Sequence, residues 1–452
     1  MDAETTRSPD LETLVILLGF GKEAEVRDRL KGMHPADIAH LIENLDEDVK
    51  PRLFALLSPE QASEVILELD DPSKRLILRA LPSERLSEIV GEMDSDDATD
   101  VIGDLPADRA VTVLDRMEQE DVKEVQKLLR YEEDTAGGLM QIELVAVRED
   151  ETAREAVEDI RAKGEEVGDL HNVFVVDRHQ HLVGIMPLRK LILVPPETPV
   201  SAIMERDVVR IGVEVDQEEV AQIFKKHDLV SLPVVDAAGR LVGRITVDDV
   251  VDVMEEEASE DIYHLGGVHA EESVLSPPSW SVRMRLPWLL VNLATAMLAA
   301  NVVNLFEGTI QALVVLAVFM PVVAGMGGNA AIQTITVIVR GIALGDLTFQ
   351  NSRRVLGKEI LVAVGNGVAT GVITAVIAYF WKGLPVLGLV VGIAMIINIF
   401  VAGLMGTLIP LALRRLRFDP AVASGVIVTT FTDVTGFASF LGIATLLLAY
   451  MR

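Results

Sequence analysis

The sequence predicts a multidomain α-helical membrane protein: an all-α helical-repeat domain, an α/β pair of domains, a connecting helix and five transmembrane helices. Three observations predict this fold class. Five apolar segments fill most of the last third of the chain, a 24-residue pattern repeats near its beginning, and a 59-residue pattern occurs twice in its middle.

The apolar segments run from Leu286 to Phe306, Ile310 to Val339, Ile360 to Trp381, Leu387 to Leu413 and Ala421 to Tyr450. Each can cross about 30 Å of hydrocarbon as a helix rising about 1.5 Å per residue. Basic residues precede the first segment and fill the second and fourth loops, whereas the first loop carries only Glu307 and the third only Lys382. Because cytoplasmic loops retain basic residues, we expect a cytoplasmic N-terminus and an extracytoplasmic C-terminus. The opening residues are acidic and lack an apolar core, so we expect no cleaved signal peptide.

Asp433 is the only charged residue within the five segments. It falls about 18 Å into the last helix, near the midplane of a bilayer, where a carboxylate is costly unless it faces a polar path. The alternative is a carboxylate that pairs with a neighbouring helix for assembly, but none of the segments contains Lys, Arg or His. Hydroxyl groups lie within about one helical turn before Asp433, at Thr429, Thr430 and Thr432.

The second segment contains a glycine-rich stretch, Gly325 to Gly328, beside Asn329 and Gln333. We expect a break in the helix at this stretch. Irregular backbone at membrane depth normally faces a cavity, so the break would lie beside a polar path. Close packing of helices is the alternative interpretation of the glycines.

Charge is distributed unevenly along the chain. Residues 1–284 carry 64 acidic and 30 basic residues, a formal balance of −34. Such a region attracts cations, which argues against binding of nucleic acid or anionic lipid. The chain has no Cys, so disulfides and thiolate metal sites are excluded. The excess of carboxylates favours a hard ion such as Mg²⁺ or Ca²⁺.

The 24-residue pattern begins at Met33, Leu57, Leu81 and Leu105. Each unit has a Pro or Ser near its start, continues with an acidic residue and then places apolar residues at helical spacing. A unit this short cannot bury its apolar face alone, so we expect the units to stack into a small helical solenoid.

The longer pattern reads VFVVDRHQHLVGIMPLRKLI from Val173 and LPVVDAAGRLVGRITVDDVV from Leu232. Each copy is typical of a strand, a turn, a second strand and the start of a helix. The pair resembles tandem CBS domains, an α/β module that often binds adenine nucleotides such as ATP. The ribose contact of that family is a Ser or Thr followed three residues later by Asp, which Thr246 and Asp249 match. Pro187 and Lys190 stand there in the first copy, and a purely structural CBS fold is the alternative.

The helix predicted after Thr246 places Asp249, Asp252, Glu256 and Glu260 on one face. The N-terminal region is also acidic, with Glu64, Asp96, Asp97 and Asp100. Two packed acidic surfaces need counter-ions, because neighbouring carboxylates repel one another. A solvated acidic helix is the alternative.

The whole chain resembles the MgtE family of magnesium channels and transporters. The phrases that carry the resemblance are RYEEDTAGGLM from Arg130, TVDDVVDVMEEEASEDIYHLG from Thr246, MPVVAGMGGNAAIQT from Met320, and DPAVASG and TTFTDVTG between Asp419 and Gly436. After GGN the family often has small polar residues, whereas Ala330, Ala331 and Ile332 stand here. The implied domains are a helical N-domain (1–131), two CBS domains (132–200 and 201–260), a connecting plug helix and linker (261–284) and a pore domain (285–452).

The resemblance implies a homodimeric, Mg²⁺-selective channel or transporter that takes up magnesium across the plasma (inner) membrane and closes when cytosolic Mg²⁺ binds between the N-domain, the CBS domains and the connecting helix. It implies pore ligands at Asp433, Asp419 and Asn329. The sensing residues that it implies are Glu64, Asp96, Asp100, Gly138 through its carbonyl, Glu218, Asp228, Asp249, Asp252, Glu257, Glu260 and Asp261.

Two other classes of protein fit parts of the pattern. An ion-coupled secondary transporter of divalent cations such as Mg²⁺ and Co²⁺ would use Asp433 as a titrating group. A membrane-anchored nucleotide sensor would use the spans only as an anchor, for which five spans and a midplane carboxylate are excessive. An enzyme is disfavoured, because no nucleophile motif, P-loop or His-rich metal motif occurs among the eight His residues and their surroundings.

Overall fold

A computed structural model describes residues 11–163, 171–269, 272, 274, 276–416 and 418–450. It divides into two compact units, Met1–Val253 and Met254–Arg452. The first unit holds a helical domain followed by two α/β domains, and the second holds the long apolar helices.

Short helices form the beginning of the first unit. They are α1 (Leu11–Gly19), α2 (Glu23–Leu30), α3 (Pro35–Glu43), α4 (Lys50–Phe54), α5 (Pro59–Leu67), α6 (Asp71–Ala80), α7 (Ser83–Val90), α8 (Ser95–Gly103), α9 (Ala107–Leu114) and α10 (Gln119–Leu128). The four repeat units supply α3, α5, α7 and α9, and each of these helices packs on the next. The stacked repeat expected from the 24-residue pattern is therefore confirmed.

Arginine residues at equivalent positions of successive repeats connect the stacked helices by hydrogen bonds. Arg109 donates hydrogen bonds of 2.7 Å to the carbonyl oxygens of Leu78 and Leu81, and Arg85 donates one to the carbonyl oxygen of Leu57 in the preceding unit. Carbonyl groups at and just beyond a helix C-terminus lack intrahelical partners, so these guanidinium groups satisfy acceptors that would otherwise be exposed. The third and fourth repeats thus supply donors to the C-terminal ends of α4 and α6.

The two α/β domains follow the 59-residue pattern. Their elements are β1 (Ala146–Arg148), α11 (Ala153–Lys163), β2 (Asn172–Val176), β3 (Leu182–Pro187), α12 (Leu188–Leu193), α13 (Val200–Ile203), β4 (Ile211–Gly212), α14 (Gln217–His227), β5 (Ser231–Val235), β6 (Leu241–Thr246) and α15 (Val247–Leu265). In each sheet the first strand pairs with the second in parallel, and the second pairs with the third in antiparallel orientation. Val173 pairs with Met186, and Leu232 pairs with Ile245 in the corresponding register.

Helix α15 begins in the first unit and ends in the second. It crosses position 260, where the second CBS domain is predicted to end. The predicted plug helix and linker, 261–284, holds the end of this helix at Leu265 and the start of the next helix at Pro278.

The second unit contains α16 (Pro278–Asn304), α17 (Glu307–Ala312), α18 (Leu316–Ala343), α19 (Ser352–Lys382), α20 (Pro385–Arg415), α21 (Pro420–Leu446) and a 3-10 turn (Leu448–Tyr450). Among the described residues, five of these helices are long and apolar enough to cross a membrane, as predicted. Helix α20 packs on α18, α19 and α21 and contributes much of the buried core.

The second predicted segment differs in one respect. Ile310 does not begin the membrane helix but lies in the short helix α17, which ends before Leu313 at φ −145° and ψ 80°. This non-helical residue interrupts the hydrogen-bond ladder between α17 and α18. A continuous apolar run therefore corresponds to two helices.

The expected break at Gly325 to Gly328 is wrong. Helix α18 runs through these residues, and none of them has a positive φ. The glycines instead allow close approach: a Cβ atom on Gly327 would lie 2.1 Å from the side-chain nitrogen of Asn398 on α20. Close helix packing, the alternative interpretation, explains at least this glycine.

Candidate ion path and acidic interface

Asp433 lies on α21, which packs on α18, α20 and α16, and it is half-buried in the single chain. The neighbouring hydroxyl groups mostly serve the helix itself. Thr429 and Thr430 donate to the carbonyl oxygens of Gly425 and Val426, and the fully buried Thr432 donates to that of Thr429. Their protons are therefore engaged within α21, and only oxygen lone pairs remain to face a cation.

Asn329 and Gln333 are exposed on one face of α18. They lie one helical turn apart, as predicted from the sequence. A polar, exposed face on an otherwise apolar helix is where a water-filled path or another chain would be accommodated.

Asn398 was missed in the sequence analysis. It is fully buried in α20, and its Nδ2 donates a 2.8 Å hydrogen bond to the carbonyl oxygen of Val323 on α18. A signal was available, because Asn398 is the only amide side chain between Leu387 and Leu413.

Asp419 precedes the first residue of α21 and caps it, with Oδ1 accepting a 2.7 Å hydrogen bond from the Ala421 amide. Its Oδ2 lies 2.9 Å from Nδ1 of His264, near the end of α15. Glu260 Oε1 lies 3.5 Å from the same nitrogen. Burial, and secondarily the charge of Asp419, raise the pKa of Asp261 to about 6. Two of the predicted ligands, Asp419 and Glu260, thus lie beside one imidazole, and the charge of Asp419 acts on a third, Asp261.

A second acidic group lies within the first unit, between α8 and the start of α15. Burial, together with the charge of Asp249, holds the pKa of Asp96 well above its usual range. Burial and the charge of Asp249 also raise the pKa of Asp97 to about 7, and burial raises the pKa of Asp249 to about 6. The helical domain and the second α/β domain therefore meet through carboxyl groups that resist simultaneous ionisation.

Polar side chains hold this interface together. Gln141 donates from Nε2 to Asp96 Oδ2 at 3.3 Å and accepts at Oε1 from Arg244 Nε at 2.8 Å. Ser95 donates its backbone N–H and its hydroxyl to Glu143, at 3.1 and 2.7 Å. A buried carboxyl, an amide and a guanidinium thus link α8 to β6.

The other predicted sensing residues are spread more widely. Glu64 is exposed on α5, Glu218 lies in the first turn of α14, and Asp228 ends that helix with a left-handed φ of 50°. Gly138 lies against the carbonyl oxygens of Glu132 and Glu133, which leave no space for a Cβ atom. Asp100 lies in α8, and Asp252 and Glu257 lie in α15.

Among the residues that the structure describes, no three His, Asp or Glu side chains converge closely enough to hold a metal ion alone. Mg²⁺ usually keeps several of its waters when it binds to a protein. Carboxylate and amide oxygens that lie in the neighbourhood suit such outer-shell contacts.

The predicted nucleotide pair is close in space. Thr246 donates its hydroxyl to Asp249 Oδ2 at 2.6 Å and its backbone N–H to the same oxygen at 3.3 Å. This is a capping arrangement for α15, so the pair has a structural role in addition to any contact with a ribose.

The chain combines five apolar helices, a carboxylate within one of them and a strongly acidic region ahead of them. This combination is that of a divalent cation transporter. A family model described as the MgtE divalent cation transporter matches residues 320–443. Models of the MgtE intracellular N domain and the CBS domain match residues 33–134, and 136–199 and 200–256.

Named relatives agree with these matches. The magnesium transporter MgtE of Thermus thermophilus is 42% identical over 329 residues, which cover 72% of each chain. The magnesium transporter MgtE of Enterococcus faecalis is 36% identical over 327 residues, again 72% of each chain. The chain belongs to the MgtE family of magnesium transporters, which are not enzymes.

Solved structures match about half of this chain. The cytosolic domain of the Mg²⁺ channel MgtE in complex with ATP is 37% identical, with a TM-score of 0.51, and the match covers 54% of this chain and 100% of that one. The soluble part of a magnesium transporter is 29% identical, with a TM-score of 0.50, and the match covers 55% of this chain and 98% of that one.

Proposed function

We propose that this chain forms a homodimeric Mg²⁺ channel in the plasma membrane, with a cytoplasmic N-terminus and an extracytoplasmic C-terminus. The basic residues in the first turns of α16, at the end of α18, at the start of α19 and at the end of α20 support this orientation. Dimerisation would bring two copies of Asp433 to one path. Two carboxylates with waters between them suit a cation that dehydrates reluctantly.

Asp433 is the proposed binding group within the membrane, Asn329 lines the path beside it, and Asp419 collects ions at the cytoplasmic mouth. Asp419 is suited to this role because it lies at a helix end next to Glu260 and Asp261 rather than among apolar side chains. A lone carboxylate within a membrane helix is kept in proteins chiefly for ion or proton pathways.

The closed state is proposed to require cytosolic Mg²⁺. The observation that carries this proposal is that the buried Asp96 lies with the partly buried Asp97 and Asp249, and that the pKa of all three carboxyl groups is raised. Such a group is most stable when it is protonated or neutralised by a cation. At neutral pH and high Mg²⁺ the ion serves that purpose, and its loss separates the helical domain from α15.

ATP is a proposed ligand of the CBS pair, supported by the relative whose cytosolic domain was solved with ATP. Thr246 and Asp249 are the candidate ribose contacts. Asp249 would then serve both a nucleotide and the Mg²⁺-dependent interface, so the two ligands would influence one another.

The test is Mg²⁺ flux into liposomes that contain a Mg²⁺-sensitive dye and the purified protein. Flux too fast for a turnover cycle, and lost when Mg²⁺ on the cytoplasmic side is raised to millimolar levels, supports the channel. Slow flux that follows an imposed H⁺ or Na⁺ gradient would instead identify an ion-coupled transporter of divalent cations.

A further inference from the structure

Asn398 occupies the centre of the packed membrane helices. Its relative exposure is 0%, and it lies on α20, the helix that contacts α18, α19 and α21. Its Oδ1 is the one buried side-chain polar atom without a hydrogen-bond partner in the described parts of the chain. Buried polar atoms are nearly always paired, so an orphaned amide oxygen in this position indicates a role other than stability.

The amide fits between α18 and α21 only because glycines face it. A Cβ atom on Gly327 of α18 would lie 2.1 Å from Nδ2 of Asn398, and one on Gly436 of α21 would lie 2.8 Å from the same atom. Real Cβ atoms do not approach this closely, so a larger residue at either position would force the amide of Asn398 or a helix to move. Asn398 is therefore in contact with both helices of the proposed ion path.

The bond to Val323 adds to this arrangement. Val323 lies inside α18, where its carbonyl oxygen already accepts from the backbone of its own helix. The amide of Asn398 supplies a second donor to that oxygen and fixes the rotation of α18 against α20. Gly327 lies two residues before Asn329, and Gly436 lies three residues after Asp433.

We propose that Asn398 is a positioning residue for permeation, which sets α18 with Asn329 and α21 with Asp433 at a fixed separation. This inference rests on the proposed pore roles of Asn329 and Asp433. It adds that their spacing is determined by a third residue, which does not itself touch the ion.

The test compares Asn398→Leu with Thr407→Val in the full-length dimer in liposomes. Leu resembles Asn in shape but cannot hydrogen-bond, and such a replacement of a buried polar group can be neutral for stability. Thr407 is equally buried on α20 but donates only to its own helix, at Gly403. We expect Asn398→Leu to reduce Mg²⁺ flux at least ten-fold and to change the ratio of Mg²⁺ to Co²⁺ flux, while Thr407→Val keeps both.

A second pair of variants separates position from packing. Gly327→Ala should lower the thermal midpoint in detergent, because its methyl group meets the amide, and Asn398→Ala in the same chain should restore the midpoint by making room. We expect flux to stay low in the double variant, since the amide is absent. Recovery of flux together with the midpoint, or parental flux and selectivity in Asn398→Leu, would overturn the inference.

Asp433→Asn is measured in parallel, so that the two ideas can fail separately. Parental flux in Asp433→Asn removes that residue from the ion path and overturns the pore assignment. Loss of flux in Asp433→Asn with parental flux in Asn398→Leu retains the pore assignment and rejects the role of Asn398.

Discussion

His264 and Asp419 are joined by a 2.9 Å contact between Nδ1 and Oδ2. His264 belongs to the last turn of α15, and Asp419 caps α21, the helix that carries Asp433. A displacement of the end of α15 would therefore act directly on the first turn of α21, the proposed pore helix. The contact is a physical connection between the helix assigned to sensing and the helix assigned to conduction.

The first prediction concerns this contact. His264→Ala should raise the Mg²⁺ concentration that closes the channel, because the closed position of α15 loses a partner. Partly exposed ion pairs contribute about 0.2–1 kcal/mol, so the shift should be no more than about five-fold. Liposome flux at graded cytoplasmic Mg²⁺ measures it, with His227→Ala, an exposed His at the end of α14, as the control. An unchanged closing concentration would show that the contact plays no part in gating.

Conduction itself should depend on Asp433. We expect Asp433→Ala and Asp433→Asn to reduce Mg²⁺ flux at least ten-fold, because both remove the only charge within the predicted apolar segments. The protein should remain folded and dimeric, which size-exclusion chromatography in detergent checks. Normal flux in Asp433→Ala would exclude this residue from the pore.

Local patterns were sufficient to predict much of the architecture. The 24- and 59-residue patterns correspond to stacked helices and paired sheets because each depends on apolar spacing within a few residues. The glycine stretch was misinterpreted because its role depends on a contact with a residue that is distant in the sequence. Gly327 gives space to the side chain of Asn398, which is far away in the sequence. Packing of this kind between two helices produces no local periodicity in the sequence.

The acidic interface was predicted only in outline. The sequence indicated two acidic surfaces that need counter-ions where they pack, one with Asp96 in the N-terminal region and one with Asp249 on the helix after Thr246. It could not indicate the link from Asp96 through Gln141 to Arg244, because Gln141 lies outside regular secondary structure, in the segment between the helical domain and β1. Long-range polar contacts of single residues have no repeated signature in a sequence.

Magnesium should compact the soluble region. With a formal balance of −34 over residues 1–284, we expect millimolar Mg²⁺ to protect α15 of the full-length protein from limited proteolysis, since ligand binding stabilises the state that binds it. The same digestion in EDTA should cleave that helix. Equal protection in Mg²⁺ and EDTA would mean that the acidic surfaces do not sense the ion.

The interface should also respond to pH. The raised pKa values of Asp97 and Asp249, about 7 and about 6, mean that the docked state binds protons that the separated state releases. Without Mg²⁺, the docked state should therefore be favoured at pH 5 and lost as pH rises through 6 to 7. Proteolytic protection of α15 in EDTA across this range measures the effect.

Magnesium should reverse that dependence. Because Mg²⁺ binds ionised carboxylates, its binding should release protons and be tighter at pH 8 than at pH 6. Proton release on addition of Mg²⁺ in weak buffer provides a direct measurement. No release, combined with pH-independent protection in EDTA, would contradict the raised pKa values.

The last prediction separates sensing from conduction. Asp96→Asn, Asp249→Asn and Glu257→Gln should each weaken closure without affecting the permeation site, because a ligand shifts an equilibrium only through its different affinity for the two states. Flux should then persist at Mg²⁺ concentrations that silence the parent. Asp108→Asn, an exposed carboxylate on α9, is the matched control and should close normally.

Deletion of residues 1–130 should have the same effect, since it removes α8 and with it one side of the acidic interface. Because Asp249 also caps α15 through Thr246, its variant can loosen the helix itself, whereas Asp96→Asn alters only the interface. Agreement between Asp96→Asn and the deletion therefore isolates ion sensing from helix stability. If these variants are silent at low Mg²⁺, or close at the parental concentration, the acidic cluster is a solvated surface and the gate lies elsewhere.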